Sequence, residues 1–182
     1  MNAIMSADEF LAWEADQPDR HEWLGGRVVD KDGSADDHNL INGNIAIALQ
    51  HHLAGRPCRT FLIAMMLETT GTPGFFYPDV VVTCSATDRS SPLIVREPTL
   101  IIEVLSPSTA AYDRGEKFAH YRSIASLKEV AFIDIHSRRT DVYRRGADGL
   151  WVLHPFDAGD AVSLASVDLT MAAAAMFAEV DD

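Results

Sequence analysis

The sequence predicts an α/β (α+β) fold, a central mixed β-sheet flanked by helices with the core order helix, three strands, helix, strand (αβββαβ). Three observations carry this. Between His38 and Ala54, the residues Leu40, Ile41, Ile45, Leu49 and Leu53 recur at spacings close to 3.6, the period of a helix with one apolar face. Three apolar runs follow, CRTFLIAMMLE, FYPDVVVTC and PTLIIEVL, each readable as a strand. A capped helical stretch, SPSTAAYDRGEKFAHYRSI, then leads to a fourth such run, KEVAFIDIH. Helices alternating with strands in this way cover the faces of a sheet.

The elements follow in order. SADEFLAWEA opens on a capping box, Ser6 with Glu9, which starts a helix running to about Asp16. In QPDRHEWLGGRVVDK, Gly25–Gly26 stands between two short strands, a two-residue hairpin signal. GSADD is a loop. The helix from His38 ends at Gly55 and Pro57. Loops TTGTPG and SATDRSSPLIVRE separate the three strands. After the fourth strand, RRTDVYRR and LWVLHPF are strands joined around GADG, and TMAAAAMFAEV is a final helix. The expected organisation is a single domain over 1–182. Its core spans about 38–135, its N-terminal helix and hairpin 6–31, and its C-terminal strands and helix 138–180.

Composition narrows the function. The chain has 182 residues, 47% of them hydrophobic, and a net charge of −12, which is globular rather than disordered. That charge argues against a general basic coating for nucleic acid, while leaving room for a local basic cleft. The two cysteines, Cys58 and Cys84, have no CxxC spacing; no disulfide framework is expected, and a reducing cytoplasm is the default. MNAIMSADEF lacks the layout of a signal peptide. No apolar run approaches the ~20 residues that span a bilayer, so no membrane partner is expected.

The chemistry centres on two carboxylates. In PTLIIEVL, Ile101, Glu103 and Leu105 share one face, and Leu100, Ile102 and Val104 the other. Both faces are otherwise apolar, as in a strand covered on both sides. Glu103 is therefore a buried carboxylate, either in a structural ion pair or at a cation. Asp79, in YPDVVV, lies where a loop becomes a strand; it is either part of a turn or a site residue. Neighbouring strands are ~4.8 Å apart, so Asp79 and Glu103 on successive strands can share a hard cation such as Mg²⁺ (or Mn²⁺), which takes oxygen ligands. In DRGEKFAHY, Asp113, Lys117 and either His120 or Tyr121 lie on neighbouring helical turns. Lys117 can reach back over Glu103, to orient a water or neutralise a phosphate, or form an ordinary surface pair with Asp113.

Other candidates read more plainly. SPST is a turn and cap rather than a nucleophile site. His51–His52 lack the helical spacing of a zinc pair. Arg138, Arg139, Arg144 and Arg145 form either a solvated edge hairpin or a phosphate contact.

The segments PDVVV, PTLIIEVLSPST, YDRGEKFAHYRS and LKEVAFIDIHSRRTDVY, preceded by RHEWLGGRVVDKDGSADDHNLINGNIAIALQHHL, resemble the Uma-two family of restriction endonucleases in the PD-(D/E)xK nuclease superfamily. The resemblance covers roughly residues 20–145, and EVLSPST is its specific part. It implies a restriction-endonuclease-like fold and a Mg²⁺-dependent endonuclease acting on DNA. Asp79 and Glu103 match its metal ligands, with the backbone carbonyl of Val104 as a third. Leu105 stands where the superfamily has lysine; Lys117 on the next helix is the matching candidate. Glu22 matches an early acidic residue near the metal, and His38 a histidine that opens the helix. A homodimer would provide a site for each strand. Two alternatives remain open: a non-catalytic binding or regulatory module on the same fold, and a hydrolase of small phosphodiesters.

Overall fold

The structure is a computed structural model that describes residues 4–31, 36–62, 65–91 and 93–180. Helix α1 (Ala7–Glu14) starts at the expected capping box: the Ser6 hydroxyl accepts from the Glu9 amide, and the Glu9 carboxylate accepts from the Ser6 amide. Strands β1 (His21–Leu24) and β2 (Arg27–Asp30) pair across Gly25 and Gly26. Both glycines have positive φ, 56° and 117°, which the tight hairpin turn requires. Helix α2 (Asp36–His52) begins two residues before His38. Of the expected GSADD loop, Asp36 and Asp37 thus belong to the helix, and residues 33–35 lie outside the described residues.

The first predicted strand is two. Its residues form β3 (Arg59–Leu62) and β4 (Met66–Thr69), with residues 63–64 outside the described set. The second run yields β6 (Val80–Thr83), and β5 (Gly74–Phe76) forms just before it, taking in Gly74 of the predicted TTGTPG loop. β3 pairs with β6, whereas β4 pairs with β5. One long hairpin therefore forks between two sheets, and the returning arm breaks at Tyr77-Pro78-Asp79. Pro78 has no amide to offer a ladder, which suits it to the fork. The loop expected after β6 contains helix α3 (Ala86–Arg89) and strand β7 (Ile94–Val95).

Strand β8 (Pro98–Leu105) is buried at every position. The helical stretch that follows is not uniform. It runs as α4 (Ala110–Tyr112), a π turn (Asp113–Lys117) and α5 (Phe118–Tyr121). Strands β9 (Glu129–Asp134), β10 (Thr140–Arg145) and β11 (Trp151–Phe156) come next. The predicted final helix is shorter than expected: β12 (Val162–Leu164) pairs with β13 (Leu169–Met171), and only Ala173–Met176 forms helix α6.

The main sheet has the order β11-β10-β9-β8-β6-β3, antiparallel except for β8 with β9. The αβββαβ core is thus α2, β3, β6, β8, the α4–α5 segment and β9. The second sheet has the order β2-β1-β5-β4-β7. The alternation predicted for β8 holds. Leu100, Ile102 and Val104 pack with Ile41, Ile45 and Leu49 of α2, while Ile101 and Leu105 pack with Phe118, Tyr121 and Phe132. α1 lays Phe10 against Trp23 and Phe75 of the second sheet.

The cysteines overturn the expectation that they stay unpaired: Cys58 and Cys84 form a disulfide with S–S 2.04 Å. The β3–β6 register explains it, since Arg59 faces Thr83 and the next pair outward is Cys58 with Cys84. Spacing along the chain gives no sign of this cross-strand meeting. The bond closes a loop across a sequence separation of 26, so reduction should lower stability by roughly 2–4 kcal/mol. Urea unfolding with and without reductant checks it; identical midpoints would refute it.

Arg144 and Arg145 of RRTDVYRR are engaged within the protein, Arg139 sits in a solvent-exposed pair, and β10 lies between β9 and β11 rather than at the sheet edge. Arg144 meets Glu129 at 2.8 Å and the Ser163 carbonyl at 2.7 Å, and Arg145 donates to the carbonyls of Ile124 and Ala125. Arg139 pairs with Asp157 at 3.1 Å, and Arg138 donates to the Val180 carbonyl.

Candidate active site

The fork in the hairpin positions Asp79. In the β6–β8 register Val80 faces Ile102, so Asp79 stands one step beyond the paired strand, opposite Glu103. Asp79 is 1% exposed, as is Glu103. Rather than lying in an exposed turn, the Asp79 carboxylate faces inward. Its Oδ2 accepts from the Val104 amide at 2.8 Å and lies 3.1 Å from His38 Nε2. Its Oδ1 lies 3.2 Å from Lys31 Nζ. Val104 therefore touches the site through its amide.

Lys117 supplies the centre of charge. It is 1% exposed, on the π turn, with Nζ 2.9 Å from Glu22 Oε1, 3.0 Å from Glu103 Oε1 and 3.6 Å from Asp113 Oδ1. The surface-pair alternative for Asp113 and Lys117 is thereby overturned: both side chains are buried. Glu103 does lie in a buried ion pair, and Tyr121 adds a hydrogen bond from its hydroxyl to Oε1 at 2.5 Å. Glu22 comes from β1 of the other sheet. Its Oε1 accepts from the Tyr77 amide at 3.1 Å and its Oε2 from the Tyr112 hydroxyl at 3.1 Å. His38, in the first turn of α2, is held by Asn42, whose Nδ2 is 3.0 Å from His38 Nδ1. All seven residues singled out by the sequence (Glu22, His38, Asp79, Glu103, Val104, Asp113 and Lys117) thus contribute to one connected cluster.

Four residues of the cluster were not singled out or were left open. Tyr121 stood as one of two options, and its four-residue spacing from Lys117 was the available signal. Asn42 repeats that spacing from His38 on α2. Lys31 and Tyr112 had no periodic signal; each reaches the site only through the fold.

Burial and charge set the protonation. Burial works against the Asp79 carboxylate, but the Lys31 ammonium, the His38 hydrogen bond and Lys117 outweigh it and hold Asp79 well below the usual carboxylate range. Burial pushes Glu103 up to about 8, against the pull of Lys117 and Lys31. Burial alone would discharge Lys117, yet Glu103, Glu22, Asp113 and Asp79 hold it well above its usual range, so it stays an ammonium. Tyr121 is pushed up by burial and by Glu103, and remains a hydrogen-bond donor.

The donor set is hard oxygen, which fits a magnesium-like ion. Among the described residues no group of three or more His, Cys, Asp or Glu side chains is arranged to hold a metal. Asp79 and Glu103 are the carboxylates that could hold such an ion, since Mg²⁺ is usually bound by one or two carboxylates completed by water.

The comparisons agree with this architecture. The chain shares its fold with a solved protein from Anabaena variabilis ATCC 29413 described as "a putative nuclease belonging to DUF820". The TM-score is 0.76, the identity 19%, and the match covers 93% of this chain and 96% of that one. The fold is restriction-endonuclease-like. The chain belongs to the Uma2 family, described as "Putative restriction endonuclease", whose model matches residues 7–174. Among its relatives are two uncharacterized proteins of Synechocystis sp. One, slr1290, is 33% identical over 168 residues, covering 92% of this chain and 88% of that one. The other, sll1609, is 33% identical over 153 residues, covering 82% and 86%. Among the described residues no helix is long and apolar enough to cross a membrane.

Proposed function

We propose that the protein is a Mg²⁺- (or Mn²⁺-) dependent endonuclease that hydrolyses DNA phosphodiester bonds. The observation that carries this is the buried Asp79–Glu103 pair on adjoining strands, with the Lys117 ammonium 3.0 Å from Glu103. Both carboxylates stand at the fork between two sheets with a fixed cation beside Glu103.

Asp79 and Glu103 would hold the divalent ion, with the backbone carbonyl of Val104 as a third ligand, while the Val104 amide steadies Asp79. Such an ion polarises a phosphoryl oxygen and lowers the pKa of bound water. Lys117 keeps its proton, fixes the Glu103 oxygen, and would place positive charge near an attacking water. Glu22 and Asp113 hold Lys117 in place, and Tyr121 fixes the Glu103 oxygen from the other side. His38, tied by Asn42, orients Asp79. Two protomers in a symmetric dimer would bring one such site to each DNA strand.

A second reading rests on one observation. Arg27, Arg96, Arg114, Arg139 and Arg144 are all paired with carboxylates, in a chain of net charge −12. Fewer cations then remain for a phosphate backbone, which favours a small phosphodiester. Cleavage of plasmid DNA and of a small chromogenic phosphodiester, each followed from 50 to 200 mM salt, separates the two. For DNA, activity should fall steeply with salt. Activity on the small ester alone, insensitive to salt, would replace the first reading with the second. Activity on neither, with Mg²⁺ or Mn²⁺ present, would refute both hydrolase readings.

A further inference from the structure

Lys31 takes no part in the mechanism above, yet it enters the site directly. Its amide donates to the Arg20 carbonyl at 2.9 Å, one step beyond the His21–Asp30 pair of the β1–β2 ladder. From that anchor in the second sheet its side chain, 19% exposed, crosses the fork to Asp79.

The two oxygens of Asp79 are used unequally. Oδ2 is tied to the Val104 amide and to His38, both fixed by a strand or a helix. Oδ1 meets the Lys31 ammonium. Oδ1 is therefore the oxygen that a divalent ion can take without unpicking the backbone. The field of Lys31 also reaches Glu103 and Asp113, favouring the charged form of each. Its ammonium thus serves the same carboxylates that a divalent ion would serve. Lysine is a compact point charge on a flexible stem, and like charges a few ångströms apart repel, so ammonium and metal exclude one another at Oδ1. Four carboxylates, Glu22, Asp79, Glu103 and Asp113, face two ammonium groups, Lys31 and Lys117. Carboxylates thus outnumber ammonium groups in the cluster, an imbalance that a divalent ion would relieve.

We propose that Lys31 is a place-holding cation, whose ammonium and the divalent metal ion compete for Asp79 Oδ1. The inference rests on the reading of Asp79 and Glu103 as a metal site. It makes Lys31 a residue that sets metal affinity and lets the site fold without metal.

The test is calorimetric titration of Mn²⁺ into the full chain as wild type, Lys31→Met, Lys31→Arg and Glu103→Gln, with thermal melts of the same samples. Lys31→Met should bind Mn²⁺ about tenfold more tightly, within the usual range for coupling between two ligands. It should melt below wild type without metal and approach it when saturated. Lys31→Arg keeps the charge but grips a carboxylate with two donors; it should bind Mn²⁺ several-fold more weakly. A general field effect would leave Lys31→Arg unchanged, so an unchanged affinity there overturns the proposal. So does Lys31→Met binding no tighter than wild type. Failure of the metal reading looks different: wild type does not bind Mn²⁺, or binding persists in Glu103→Gln. Either result removes both inferences together.

Discussion

Replacing Glu103 with glutamine should abolish cleavage while leaving the fold intact. The substitution keeps the shape of the side chain and its hydrogen bond from Tyr121, but removes the negative charge a divalent ion needs. Loss of a metal-holding group forfeits several kcal/mol of transition-state stabilisation, and each 1.36 kcal/mol is tenfold in rate. Nicking of supercoiled plasmid should therefore fall by roughly a thousandfold or more. Lys117 keeps Glu22 at 2.9 Å and Asp113 at 3.6 Å, so the buried ammonium is not orphaned and the circular dichroism spectrum should match that of wild type. Plasmid nicking by Glu103→Gln at the wild-type rate would dismiss the metal site.

Lys117→Met should instead be costly to the fold itself. The methionine fills much of the same volume, but Glu103, Glu22 and Asp113 lose their shared cation in a site where Lys117 and Glu103 are each 1% exposed. Breaking a buried pair by removing one partner typically costs about 3–5 kcal/mol, because it strands the other charge. Unfolding in urea should show a loss of that size. Adding Glu103→Gln to Lys117→Met should recover part of it, since residues in one charge network do not add. Strict additivity in that cycle would mean that Lys117 and Glu103 do not act on one another.

Much of the fold was legible, and the exceptions have physical causes. The capping box, the Gly25–Gly26 hairpin and the two faces of β8 are local patterns, each set by residues a few positions apart. The broken strand at residues 59–69 was not legible, because an apolar run carries no mark of which sheet its halves will join. Only Pro78, on the opposite arm, hinted at a break. The disulfide escapes notice because cross-strand pairing of Cys58 with Cys84 is a long-range fact, whereas the final helix is shortened by a local hairpin, in which Leu169–Met171 pairs with Val162–Leu164, that no glycine or asparagine turn pair announces. In the site, Glu103 stands out because a carboxylate inside an apolar strand is anomalous, and Asp79, which alone reads as a turn residue, gains meaning only beside it. Lys31 does not stand out, since a lysine after a hairpin is ordinary until the fold aims it at Asp79.

The forked hairpin also has a consequence for motion. Glu22 of the second sheet and Glu103 of the main sheet share the Lys117 ammonium, and Asp79 lies at the break between the sheets, so an ion on Asp79 and Glu103 would tighten a junction common to both sheets. A ligand that binds only the folded state raises the free energy of opening, and here that gain must be shared by elements far apart in the chain. Amide hydrogen exchange with saturating Mn²⁺ should slow in β1 and β2 as much as in β8, while β11, at the distant edge, keeps its rate. The site would then be the seam along which the molecule first comes apart, and metal the stitch that closes it.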